Sequence, residues 1–226
     1  MFEVHDLPAP LPTDLVALLA RVETATIGHV LHDGFVDPEI RSLLGDRRVV
    51  GCAVTVRIPA MDSVLLHHAV SIARPGDFLV IERCGDRRHA CLGGMVTHAA
   101  KLAGVVGAVI DGPATDMSEI RACDFPVWAR GLSPITTKQL GTGGALNVPV
   151  TVGGQVVCPG DVVLADESGV VVLARDRAEA LARKAIGMQE FEVEALARMR
   201  AGAKLGDLSG ATARVAAALQ SGGSSK

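Results

Sequence analysis

The stretch FLVIERCGDRRHACLGGMVTHAAKLAGVVGAVIDG, Phe78 to Gly112, decides how the rest of the chain is read. Phe78–Ile81 and Val105–Ile110 are unbroken apolar runs, the pattern of strands buried on both faces. Between them Met95, Val96, Ala99, Leu102 and Ala103 recur at helical spacing behind Gly93-Gly94, and Gly104 closes the helix. Strand, helix and strand on short links predict parallel pairing through a right-handed crossover.

Upstream, the same unit repeats. Val49–Ile58 is β-branched and apolar, and Asp62 or Ser63 can cap a helix that buries Leu65, Leu66, Ala69, Val70 and Ala73. Pro75-Gly76-Asp77 is a turn feeding the strand at Phe78. Earlier still, Thr13 can cap a helix carrying Leu15, Leu18, Leu19 and Val22, and a short second helix covers Ala25 to Leu31, ending near Gly34.

After residue 145 the pattern changes to short strands. Val148–Val152 and Gln155–Cys158 flank Gly153-Gly154 as a hairpin. Pro159-Gly160-Asp161 leads into VVLAD, and Asp166–Gly169 turns into Val170–Leu173, so this half pairs antiparallel. A last helix opens with Asp176 and Glu179 in capping-box spacing and runs to about Arg200, and the tail from Ser221 reads as disordered. The expectation is one α/β domain over residues 1–226, with its core in 24–174. A parallel half and an antiparallel half with flanking helices imply β/β/α layering.

Composition narrows the function. Of 226 residues, 49% are apolar and 21% charged, with a net charge of −3, so a sizeable core forms and no basic face attracts polyanions. Aromatics are 3% and there is no tyrosine, which removes the stacking rings that single-stranded nucleic acid requires. Mean hydropathy is high at +0.34. The longest charge-free apolar stretch, Leu102–Ile110, is about half of a bilayer crossing. The N-terminus has acids and prolines where a signal peptide needs a basic start and an apolar middle, so a cytoplasmic protein is expected. The 5 cysteines are scattered, with no C-x-x-C, against a disulfide framework or a structural zinc site. Excess apolar character without a membrane points to an oligomer interface.

Chemistry concentrates in two places. At the Gly93-Gly94 helix start the amides of Gly94, Met95 and Val96 lack intrahelical acceptors, and with the helix dipole they suit an anion; taken alone, the glycines are better explained by a plain loop-to-helix turn. Asp111-Gly112-Pro113 lies just beyond a buried strand, where open α/β sheets bind ligands. Asp116 follows at the next helix start, either as an N-cap for the Ser118 or Glu119 amides or as a ligand to a hydrated magnesium. The histidines, including His67, His68 and His98, fall on polar helix sides and read as solvated, with no Cys–His nucleophile arrangement in the sequence. Gly141–Gly144 lacks a dinucleotide-site context. Arg130 and Lys138 follow a short strand and read as surface cations able to meet an anion.

In order, strand-Gly93-Gly94-helix, Asp111-Gly-x-x-x-Asp116, Trp128-Ala-Arg-Gly-x-Ser-Pro134, Asn147-x-Pro-Val150 with Gly153-Gly154, Pro159-Gly-Asp161 and Ala165-Asp-x-x-Gly169 resemble one family. It is the family of regulator of ribonuclease activity A and the 4-hydroxy-4-methyl-2-oxoglutarate aldolases, whose members are also labelled dimethylmenaquinone methyltransferase-like. The likeness spans roughly Thr24 to Leu173. It implies a swivelling β/β/α fold, homotrimers or hexamers, and sites near subunit boundaries.

For the aldolases the resemblance implies a divalent-metal lyase, cleaving or decarboxylating a small 2-oxo acid such as a 4-hydroxy-2-oxo acid or oxaloacetate through a pyruvate enolate. Carried over by motif, Gly93, Gly94, Met95 and Val96 would bind the substrate carboxylate, and Asp116 would hold Mg²⁺ or Mn²⁺. The family's arginine falls on Thr115, a neutral hydroxyl at a catalytic and substrate-binding position. Arg130, Lys138 or a neighbouring subunit could restore the cation. The contrasting reading is a non-catalytic regulator of the ribonuclease-regulator type.

Overall fold

The computed structural model describes residues 1–222. In chain order its elements begin β1 (Phe2–Val4), α1 (Thr13–Leu19), α2 (Thr24–Gly28), β2 (Arg41–Ser42), β3 (Val49–Arg57), α3 (Val64–Ile72), β4 (Asp77–Glu82), α4 (Gly94–Leu102), β5 (Gly107–Ile110) and α5 (Met117–Ala122). There follow β6 (Val127–Ala129), β7 (Gly144–Leu146), β8 (Val150–Val152), β9 (Gln155–Val157), β10 (Val162–Asp166), β11 (Gly169–Leu173), α6 (Arg175–Arg200), α7 (Leu205–Leu208) and α8 (Ala211–Gly222).

The fold is mixed α/β with a mostly parallel sheet. β3, β4, β5 and β6 pair parallel in sequence order through the α3, α4 and α5 crossovers. β10 pairs antiparallel with both β3 and β11, and β8–β9 forms the hairpin turned at Gly153-Gly154. Side-chain alternation along the strands explains why a parallel sheet must be covered twice. Val54, Val56, Leu79, Ile81, Ala108 and Ile110 face Leu66, Val70, Val96, Ala100 and Ile120 of the helices. Their neighbours Ala53, Phe78, Val80, Val109 and Trp128 face Val150, Val152, Val157, Val163 and Val172 on the other side.

Local chemistry differs from expectation at several element ends. Thr13 is the first helical residue of α1 rather than its cap, and α2 spans only Thr24–Gly28. At α3, Ser63 occupies the cap position without a side-chain cap bond; Asp62 does the work, its Oδ1 accepting from Val64 N at 3.0 Å. On α4, Val96 and Ala100 are buried but Met95 and Leu102 are 82% and 89% exposed, against the expected inward apolar face. A helix this short seats one narrow side on the sheet, and the rest of its apolar surface is left outside.

The chain divides into two compact units, Met1–Arg183 and a second beginning at Lys184. The first carries the whole sheet. Helix α6 begins and ends close to the expected boundaries, and α7 and α8 follow as short helices not anticipated from the sequence. Helix α8 extends through Gly222, past the expected onset of the tail at Ser221; the remainder of that tail, 223–226, lies outside the described residues. Among the described residues no helix is long and apolar enough to cross a membrane.

Candidate functional site

The loops after β4 and β5 both end at helix starts on the carboxyl side of the parallel strands, where doubly covered sheets present ligand sites. The two loops touch. Asp116 Oδ2 accepts a hydrogen bond from Gly94 N at 2.8 Å, and Thr115 N donates to Leu92 O at 2.9 Å. The contact requires glycine at 93: a Cβ there would lie 2.5 Å from Asp116 Oδ2 and 2.7 Å from Thr115 Cγ2. Space, rather than backbone conformation, demands this residue, since Gly93 is extended (φ −136).

Asp116 stands at the N-cap position of α5 yet makes no side-chain cap bond to its own helix. Its backbone is left-handed (φ 52, ψ 49), which turns the carboxylate away from Ser118 and Glu119 and across to α4. The expected cap therefore serves the other helix. One consequence bears on the four-residue cradle: the Gly94 amide is occupied by Asp116, while the amides of Gly93, Met95 and Val96 have no acceptor among the described residues. The first intrahelical bond of α4 is Thr97 N to Gly93 O at 2.9 Å.

Thr115 is half-buried beside Gly93, its hydroxyl 3.4 Å from Asp116 Oδ1. Arg130 does not stand in for the missing cation. Its guanidinium is 8% exposed and binds Asp111 at 2.6 Å, Asp37 at 2.9 Å and Glu39 at 3.0 Å. Burial opposes its charge, but the bonds to Asp111 and Asp37 outweigh that and raise its pKa. The Asp37 carboxyl is held below its usual range by the Glu39 amide and then by Arg130. Sequence reading placed Arg130 on the surface because its acidic partners come from distant segments. Asp111 is likewise committed, its second oxygen accepting from Gly153 N at 2.9 Å. Lys138 is exposed, and its backbone bridges to the Met61–Ser63 segment.

Glu119, His98 and Arg83 also border this region. Glu119 lies on the Asp116 side of α5, its Cγ 3.1 Å from where a Cβ on Gly94 would sit. The spacing of three residues from Asp116 is the signal that could have found it. His98 is exposed, as expected, and also reaches Glu119 Oε2 at 3.1 Å; Cys123 Sγ lies 3.3 Å from its Nδ1 and 3.6 Å from its Nε2, a Cys–His neighbour no sequence motif showed. These contacts join residues 21 and 25 positions apart, beyond any motif window. Arg83 is fully buried, with Nη2 bonded to Ala60 O, Asp86 Oδ2 and His89 O.

The donor set can be tested against a metal. Among the described residues no three His, Cys, Asp or Glu side chains converge to cage an ion. Zinc, which takes several nitrogen or sulfur ligands, does not fit. Magnesium does: it keeps most of its water and needs one or two carboxylates, and Asp116 is exposed with Oδ1 free of any amide donor.

Comparisons agree with the order of motifs. The RraA-like family model, described as Aldolase/RraA, matches residues 23–172. A relative in Halalkalibacterium halodurans named "Putative 4-hydroxy-4-methyl-2-oxoglutarate aldolase" is 33% identical over 174 residues, 76% of this chain and 82% of its own. The solved structure of Streptomyces coelicolor RraAS2, described as an unusual member of the RNase ES inhibitor RraA family, superposes with a TM-score of 0.75 at 30% identity. It covers 83% of this chain and 98% of its own. A Geobacillus kaustophilus structure described as an S-adenosylmethionine:2-dimethylmenaquinone methyltransferase gives a TM-score of 0.61 at 34% identity, covering 67% and 94%. With its family model spanning β2 through β10 and both loops of the site, the chain belongs to the RraA-like family, which unites aldolases with RraA-type proteins and includes members labelled as dimethylmenaquinone methyltransferases.

Proposed function

We propose that this protein is a divalent-metal-dependent lyase acting on a small 2-oxo acid, a 4-hydroxy-2-oxo acid or oxaloacetate. The observation that carries the reading is the meeting of Asp116 with the α4 start at 2.8 Å, on an exposed edge beside free amides. Asp116 would hold Mg²⁺ or Mn²⁺. When bound, such an ion supplies a Lewis acid for the oxygen charge that builds as the C3–C4 bond of a 2-oxo acid breaks.

The chain's own groups do the positioning. The Met95 and Val96 amides, at the positive end of α4, suit the substrate carboxylate. The Gly94 amide fixes Asp116 Oδ2 and so aims Oδ1 outward. Thr115 offers a hydroxyl donor where the family pattern has arginine; a hydroxyl cannot form a bidentate clamp. Losing one such stabilising donor costs ~10²–10³ in rate. A second copy supplying a cation would restore it, and the exposed Met95 and Leu102 beside the site suit burial in a homotrimer or hexamer. The layering of helices and hairpin on opposite sheet faces is read as the swivelling β/β/α arrangement.

Purified protein with Mg²⁺ or Mn²⁺ should release pyruvate from oxaloacetate or a 4-hydroxy-2-oxo acid, and Asp116→Ala should abolish it. Absence of pyruvate with every such substrate would refute the reading. Thr115 and the occupied Gly94 amide favour a second one, a non-catalytic regulator; metal-independent capture of a ribonuclease by a protein without lyase activity would select it.

A further inference from the structure

The start of α6, the end of β11 and strand β9 enclose a cavity of about 180 Å³. A single buried water occupies only ~10–15 Å³ of such space, so this is room for a small molecule. No part of its lining comes from the loops that carry Gly93 and Asp116. Leu31, Val156, Val172 and Leu181 supply aliphatic walls, and Asp33, Asp161 and Arg177 supply charge. The walls are tied together: Gly34 N donates to Gln155 Oε1 at 3.1 Å, and Val172 N donates to Gly34 O at 2.8 Å.

Asp161 is the group left unbalanced. It is partly buried in the turn before β10, where its Oδ2 accepts from Cys158 N at 2.8 Å. Among the described residues its Oδ1 has no donor and no basic side chain pairs with it. Burial raises its pKa above the usual carboxylate value against the Cys158 amide, and the Asp176 charge adds to the rise. The cations of neighbouring segments are engaged elsewhere: Arg175 donates to Ala9 O and Pro10 O, and Arg74 pairs with Asp77. Asp33, exposed on the rim, makes no described bond. The described lining holds one base, Arg177, which is exposed and in no described ion pair.

A carboxylate drawn out of water without a counter-charge costs free energy, and a bound cation removes that cost. Apolar walls with a few convergent polar groups are the ordinary make-up of a small-molecule site. We propose that this cavity binds a small aliphatic molecule carrying a primary ammonium, with the ammonium on Asp161 and Asp33 and the hydrocarbon against Leu31, Val156, Val172 and Leu181. Arg177 lines the same cavity and would meet a carboxylate on that ligand, so a simple amine and an aliphatic amino acid are the two sources of this chemistry. The site is independent of the lyase reading.

Three probes on one carbon skeleton test it: 3-methylbutylamine, L-leucine and 4-methylpentanoate. Each is titrated at pH 7 into the full ¹⁵N-labelled chain and followed by NMR. The amine should shift the amides of Gly34, Val156 and Ala174 with a Kd on the order of 1 mM, ordinary for so small a ligand. 4-Methylpentanoate, which lacks the ammonium, should bind at least about tenfold more weakly. Asp161→Asn keeps an oxygen for the Cys158 amide but loses the charge, and should weaken the amine about tenfold. Asp33→Asn, which breaks no described bond, should weaken it by a smaller factor. L-Leucine binding more tightly than the amine, with the margin erased in Arg177→Gln, identifies an amino acid as the ligand; equal or weaker binding identifies an amine. No amine-induced shift at these amides, equal binding of 4-methylpentanoate, or an affinity unchanged in both Asp161→Asn and Asp33→Asn would overturn the proposal.

Discussion

Asp116 caps a helix that is not its own: its Oδ2 accepts from Gly94 N at 2.8 Å, and its left-handed backbone (φ 52) is the turn that makes this reach possible. A single carboxylate thereby ties together two βα loops, its other oxygen accepting only from the Thr115 hydroxyl at 3.4 Å among the described residues. Asp116→Ala should therefore do two things. Metal-dependent pyruvate release should vanish, and loss of the cap should cost about 1 kcal/mol, lowering Tm by roughly 2–4 °C. Calorimetry beside a pyruvate assay separates the two effects, and an active Asp116→Ala protein would refute the metal role.

Gly93→Ala should damage the site more than an ordinary loop substitution. Its Cβ would lie 2.5 Å from Asp116 Oδ2 and 2.7 Å from Thr115 Cγ2, and one of these must move. Overpacking of this kind costs ~1–3 kcal/mol. Denaturant titration should show that loss, accompanied by weaker metal binding measured directly by calorimetric titration.

Thr115→Arg should raise kcat/KM for pyruvate release by at least about tenfold, since a cation replaces a neutral hydroxyl beside Asp116. A well-folded variant with unchanged rate would show that the cation already arrives from elsewhere, most directly from a second copy.

Arg130→Ala should be strongly destabilising, by about 3 kcal/mol, because Asp111, Asp37 and Glu39 would be left facing one another. Arg130→Lys should recover only part, since a point charge cannot serve three carboxylates in a planar fork. Urea midpoints of the two variants check the order.

Asp62 links stability to acid. Burial disfavours its charge, but the amides of Val64 and Thr142 and the Thr142 hydroxyl outweigh that and draw its pKa well below the usual carboxylate range. A depressed folded pKa means the contribution is complete above the unfolded value, about 3.9, and is lost as pH falls through the folded one. Between pH 5 and pH 3 the wild type should lose stability more steeply than Asp62→Asn. Parallel curves would dismiss Asp62 as a major acid-labile group.

Much of this was readable in one dimension. The apolar runs at Val49, Phe78 and Val105 with helical periods between them dictate parallel βα units, because period and burial are local properties. Gly93 and Asp116 could likewise be picked out by type and position. What they do could not: φ at Asp116 selects which helix its carboxylate caps, and only packing sets that angle. Arg130 shows the same limit, its surroundings being supplied by residues 19 to 93 positions away.

The sequence by itself determined the parallel core of the sheet, its crossovers and the candidate loops, since each rests on side-chain periodicity or turn chemistry within a short window; the edge strands β1, β2 and β7 came only with the tertiary structure. Tertiary structure alone decided that Asp116 occupies the Gly94 amide, that Arg130 is spent among acids, that Met95 and Leu102 stand exposed, and that Cys123 meets His98. The reason is physical. Hydrogen bonds and ion pairs between segments depend on how two helices settle on a sheet, and a shift of an ångström remakes them without altering a single local preference.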